Sequence, residues 1–122
     1  MRLTSIALIL ALFLPFLANA APSSYTASVI GISDGDTITV LTADKRQVKI
    51  RLYGIDCPER SQPYGNSAKL ATGGAVHGKN VEIRDMGTDR YGRAVGVVTM
   101  PGQNESLNAM LVKKGLAWVN SL

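Results

Sequence analysis

A mainly β fold with some α, built as a small and mostly antiparallel barrel carrying one or two packed helices, is what this sequence predicts. Five short runs rich in Val, Ile, Thr and Leu are broken by residues with turn chemistry, and no strand–helix alternation of a parallel sheet is present. About a hundred residues remain for the domain once an apolar N-terminal segment is set aside. That is one domain with one core.

Arg2 supplies a positive start, Ile6 to Leu17 is apolar and broken only by Pro15, and Ala18-Asn19-Ala20 is a small-x-small site. Together these describe a secretory signal peptide cleaved after Ala20, with 21–122 as the mature chain, secreted or periplasmic. The apolar run falls short of the roughly 20 residues a membrane span needs, so no stable membrane association is expected after cleavage. Removing Arg2 lowers the basic count from 13 to 12 against 9 acids, a net charge of +3. A mild basic excess permits a polyanionic partner without demanding one.

Residues 26–33, 36–43 and 46–55 read as a three-stranded meander, broken at Gly35 and at Ala43-Asp44-Lys45. In the third run Val48, Ile50 and Leu52 alternate with Lys49, Arg51 and Tyr53, so one face is apolar and the other displays two cations and a phenol. Pro58 to Tyr64 is a loop. Asn66 to His77 forms a helix with Gly73-Gly74 inside it, a pair that costs about 2 kcal/mol relative to two alanines. Strands follow over Asn80 to Asp85 and Ala94 to Met100, and the helix with the fullest signals runs from Glu105 to Lys114, capped by Asn104 and ended before Gly115.

The stretch "ISDGDTITV" places Asp34 and Asp36 on either side of one glycine. Aspartate is a good turn residue, and Gly35 supplies the positive φ of a two-residue turn, so turn chemistry alone accounts for the motif. Strand pairing offers a second reading. A turn centred near Asp44 sets Asp36 opposite a residue near Tyr53, with Asp56 just beyond and Glu59 three residues further. Carboxylates gathered in this way repel unless a cation joins them, and oxygen donors suit a hard divalent ion such as Ca²⁺. Arg51 lies one strand-length from Asp56, and "DRYGR" adds Arg90, Tyr91 and Arg93. Guanidinium groups beside a cation are what a phosphodiester needs, because hydrolysis builds negative charge on its equatorial oxygens.

Taken singly, Arg51 is a solvated strand cation and Arg93 a turn cation. The lone histidine, His77, reads as an exposed helix end, and the lone cysteine, Cys57, as a small buried hydrophobe. Leu107, Met110 and Leu111 face a core, and Trp118 is read as packing rather than as a base-stacking surface.

The blocks "SDGDTITV", "IRLYGIDCPE", Tyr64-Gly65, "TDRYGR" and "LNAMLVKKGLAWV", in this order and spacing, resemble the signature segments of the staphylococcal nuclease family. The resemblance runs from about Val29 to Val119. It implies a five-stranded OB-fold barrel with one or two packed helices, acting as a monomer on DNA and RNA, with Ca²⁺-dependent 5′ P–O cleavage that leaves 3′-phosphate ends. By the same resemblance Asp36, Asp56 and the backbone carbonyl of Cys57 hold the metal. Arg51, Arg93 and Glu59 are catalytic, Glu59 as base or water-positioner, Arg90 and Tyr91 bind substrate, and Asp34 supports the site. The family continues past "GLAWV" through base-stacking tyrosines into a C-terminal helix, so the resemblance implies a chain shortened there, with Ser121 near the first tyrosine position. The alternative is a non-catalytic OB-fold module that binds nucleic acid or oligosaccharide.

Overall fold

The computed structural model describes residues 23–120. The expected signal segment, 1–20, and Ser121 lie outside that range. In chain order the elements are β1 (Ser24–Asp34), β2 (Thr37–Leu41), β3 (Gln47–Leu52), β4 (Ile55–Asp56), α1 (Gly65–Val76), β5 (Asn80–Thr88), β6 (Ala94–Thr99), α2 (Leu107–Lys113) and β7 (Trp118–Val119). Five strands close a barrel in the order β1-β2-β3-β6-β5, antiparallel throughout except for β3 beside β6. This is the mixed five-stranded barrel of an OB fold, with two helices.

Closure depends on β1. Its first half, Ser24 to Ser28, pairs with β5 and its second half with β2, with register shifts between Val29 and Gly31 and between Ile32 and Asp34. Such bulges bend a strand and increase its twist, which lets one strand serve both flanks. Inward-pointing Val29, Ile38, Val40, Ile50, Leu52, Ile83 and Val98 fill the barrel, and Leu107 and Leu111 of α2 join the same core. One of the buried polar residues is Asn108. It accepts from Val98 N–H at 3.1 Å and donates to the Tyr53 and Gly96 carbonyls at 2.9 and 3.3 Å, pinning α2 to the barrel.

Three local details differ from the sequence expectation. The third strand stops at Leu52, because a turn at Tyr53-Gly54 separates β3 from β4, and β4 pairs with β7 in a ribbon of its own. Helix α2 is capped by Ser106, whose hydroxyl accepts from Ala109 N–H at 3.0 Å, so Asn104 and Glu105 precede the helix. Gly35 does not appear among the positive-φ glycines. It is required for space: a Cβ there would stand 2.7 Å from Ala68 Cβ and 3.0 Å from Cys57 Sγ. Helix α1 forms in spite of Gly73-Gly74, since Ala68, Thr72 and Val76 bury a full stripe, and His77 ends it in solvent.

Candidate active site

One end of the barrel collects the β1–β2 turn, the end of β3, β4, the loop after it and the β5–β6 turn. Register does the first part. Thr37 pairs with Arg51, and the Leu52 N–H donates to the Asp36 carbonyl at 2.8 Å, one position from the expected partner Tyr53. The β1–β2 turn is then clamped by α1, where the Thr72 hydroxyl donates to the Gly35 carbonyl at 2.6 Å.

Asp36 is buried, with its Oδ1 accepting from the Thr37 hydroxyl at 3.0 Å and its Oδ2 from Cys57 N–H at 2.8 Å. The same Oδ2 lies 3.4 Å from Arg51 Nη2, the nitrogen that also contacts Asp56 Oδ1. Both carboxylates therefore meet at a single guanidinium nitrogen. Arg51 Nη1 donates to the carbonyls of Ile55 at 2.9 Å and Leu52 at 3.2 Å, so the side chain is held at both ends of its fork. The Cys57 thiol is buried between Gly35 and the core; burial first, then the Asp36 charge, pushes it up to about 12, so it carries no thiolate chemistry.

Glu59 is exposed, and its loop is fixed through Gln62. Glu59 N–H donates to Gln62 Oε1 and Gln62 N–H to the Glu59 carbonyl, each at 2.8 Å. Gly65 is needed here for close approach, because a Cβ would fall 1.8 Å from the Glu59 carbonyl oxygen. At the β5–β6 turn, Asp89 accepts from the Tyr91 and Arg93 backbone N–H groups at 2.9 Å each and from Arg93 Nε at 2.7 Å. Desolvation raises the Asp89 pKa, but these bonds outweigh it and hold the carboxyl below its ordinary range. Arg90 and Arg93 both lie over the Tyr91 ring, 5.0 and 5.4 Å from its centroid.

The result is a cleft of ≈ 400 Å³ whose walls carry Asp34, Asp36, Asp56 and Glu59 against Arg51 and Arg93. Four carboxylates and two guanidiniums leave two negative charges in excess. Among the described residues no group of three or more His, Cys, Asp or Glu side chains is gathered closely enough to hold a metal ion by itself. The donors present are oxygens in an acidic pocket, a set that fits one hard divalent cation completed by backbone carbonyl and water. Arg90 and Tyr91 stand in an adjoining cleft of ≈ 550 Å³, which shares Arg51, Asp56 and Arg93 with the first.

The sequence-derived set of Asp34, Asp36, Arg51, Asp56, Cys57, Glu59 and Arg93 is thus brought to one cleft. Sequence reasoning missed Asp89, Gln62 and Thr72, which orient it. Asp89 was open to discovery, since an aspartate accepting from N–H groups two residues on is a common turn device; Gln62 and Thr72 leave no such mark. Trp118 also differs from expectation. It is 53% exposed and lines the acidic cleft instead of packing into the core.

The sequence profile of the family described as staphylococcal nuclease homologue matches residues 49–122. An "Uncharacterized endonuclease" of Haemophilus influenzae is 40% identical over 109 residues, covering 89% of this chain and 60% of the relative. "Protein ParB" of Escherichia coli is 40% identical over 108 residues, covering 83% of this chain and 60% of that protein. A "Micrococcal nuclease" of Shigella flexneri is 35% identical over 103 residues, with 79% and 59% covered. The chain spans about 60% of the length of these relatives. On the profile match and the barrel together, the chain belongs to the family of staphylococcal nuclease homologues.

Proposed function

We propose that this chain is an exported, Ca²⁺-dependent nuclease that hydrolyses DNA and RNA at the 5′ P–O bond and leaves 3′-phosphate ends. The observation that carries the reading is the meeting of Arg51 and Arg93 with four carboxylates in one cleft. The nuclease and endonuclease names of similar proteins support it. Export with cleavage after Ala20 is supported by the charge, apolar run and small-residue site of the first twenty residues.

Asp36, Asp56 and the Cys57 carbonyl would hold the cation. When bound, Ca²⁺ offsets the charge of the phosphate and of the clustered carboxylates. Arg93, held through Nε by Asp89, has both Nη groups free to donate to the phosphate oxygens, and Arg51, anchored through Nη1 on the Ile55 and Leu52 carbonyls, would turn Nη2 to the phosphate once a bound cation engages Asp36 and Asp56, so little ordering remains to be done as charge builds. Glu59 orients the attacking water and accepts its proton. The water oxygen forms a new bond to phosphorus, the bond to the 5′ oxygen breaks, and that oxygen leaves protonated by solvent.

The test is product analysis. End-labelled single-stranded DNA and RNA, mixed with the purified chain in Ca²⁺, should give fragments ending in 3′-phosphate. Oligonucleotides that are bound but returned intact would assign the barrel to a binding module, and 5′-phosphate products would reverse the assignment of the broken bond.

A further inference from the structure

We infer that Trp118 is a base-stacking residue, which seats the nucleobase on one side of the scissile phosphate and selects single-stranded over duplex substrate. This rests on the nuclease reading of the same cleft and goes beyond it.

The placement follows from the small ribbon at the barrel mouth. Trp118 of β7 is the antiparallel partner of Asp56 in β4, as Val119 is of Ile55. Residues directly opposite in a ladder project to the same face, 4.5–5.5 Å apart at Cβ, while their neighbours project to the other. The face that carries the Asp56 carboxylate to Arg51 therefore carries the indole, and Trp118 lines the acidic cleft. Val119 turns to the opposite side, beside Tyr53 and Val112. Leu116 and Ala117 pack against the core, but Trp118 is not among the residues that do so. An indole left half in water beside a reaction cleft has apolar surface that a flat, apolar-faced ligand would cover.

The two clefts say which ligand. They share Arg51, Asp56 and Arg93, and each holds one aromatic ring, Trp118 in the first and Tyr91 in the second. A phosphodiester gripped by the two shared guanidiniums has one nucleoside on each side, so the chain on one side runs toward Tyr91 and on the other toward Trp118. Tyr91 is already covered on its face by Arg90 and Arg93, whereas among the described residues no cation lies over the indole. Stacking on Trp118 needs a base whose face is free. In a duplex both faces are taken by neighbouring pairs.

The experiment uses a short single-stranded oligonucleotide with one cleavable linkage, in two forms, with the base on the Trp118 side present or abasic. Wild type, Trp118→Ala and Trp118→Phe are compared in Ca²⁺, with circular dichroism as a check on folding. Trp118→Ala should raise KM for the intact strand about 5- to 100-fold, the scale of one stacked base, with most of kcat retained. It should leave the abasic strand unchanged, and Trp118→Phe should recover most of the loss. An unchanged KM for Trp118→Ala overturns the proposal, as does an equal loss on both strands that phenylalanine does not recover. Trp118 is the single tryptophan of the chain, which gives a second readout independent of cleavage. Single-stranded oligonucleotide should quench its fluorescence, and duplex of the same sequence should not. If wild type hydrolyses neither strand, quenching by the single strand keeps the stacking assignment while the nuclease reading falls; no quenching overturns the stacking assignment.

Discussion

The backbone N–H of Cys57 donates to the Asp36 carboxylate at 2.8 Å, a bond that spans 21 positions of sequence and locks the β1–β2 turn onto β4. It uses the main chain of one residue and the side chain of the other, so the two should respond differently to substitution.

Cys57→Ala keeps both the N–H and the carbonyl. It should leave the Ca²⁺ requirement of the reaction unchanged and cost about 1 kcal/mol of stability from the lost buried sulfur. Asp36→Ala should raise the Ca²⁺ needed for half-maximal rate by at least about 10- to 100-fold, the range already seen for residues that merely support a ligand. Calcium titrations of the initial rate, with urea melts alongside, check both.

Arg51 and Arg93 are each fixed before substrate arrives, by carbonyls and carboxylates in one case and by Asp89 in the other. Replacing either with Ala should lower kcat by about 10²-fold or more, the scale for loss of one donor to developing charge. Lysine should restore little, because an ammonium cannot reproduce the fork. Single-turnover rates at saturating DNA separate this from a change in binding.

Gly35→Ala would press a methyl against Ala68 and the Cys57 sulfur. Overpacking of this kind costs about 1–3 kcal/mol, read as a lowered urea midpoint at unchanged m. In an Ala68→Gly background the further cost of Gly35→Ala should shrink without vanishing, since the Ala68 carbonyl carbon at 3.0 Å remains. A double-mutant cycle measures that coupling.

The turn that presents Arg93 should be acid-sensitive. The Asp89 carboxyl is held below its ordinary value of 3.8, so its contribution is fully present above that value and is lost as pH falls through the lower folded value. The stability difference between wild type and Asp89→Ala should thus be largest above pH 3.8 and close toward zero beneath it, as followed by Tm against pH. At neutral pH the same variant should lose less kcat than Arg93→Ala, because Asp89 positions the guanidinium and does not touch the phosphate.

Much of this site was legible in the residues because it is built on a short-range hairpin. The turn at Asp44 fixes the β2–β3 register, and that register alone brings Asp36 to the end of β3, next to Arg51 and within reach of Asp56. The acidic turn is the meeting point its spacing suggests, but its glycine serves close packing rather than a positive φ, a role set by a helix more than thirty positions away. Asn104 and Ser106 have the same capping chemistry two residues apart, and only the path of the chain into α2 makes Ser106 the cap. Trp118 was the least legible. A two-residue strand has no periodicity to reveal its face, and its partner in β4 is about sixty residues distant.

The central claim, that the acid and arginine cleft runs a Ca²⁺-dependent phosphodiester hydrolysis, is tested most directly by the initial rate of single-stranded DNA cleavage as free Ca²⁺ is varied with chelator. Hydrolysis should rise along a single saturation curve, vanish in excess chelator and return when Ca²⁺ is restored. Cleavage at full rate in chelator, or its absence at every Ca²⁺ concentration, would contradict it.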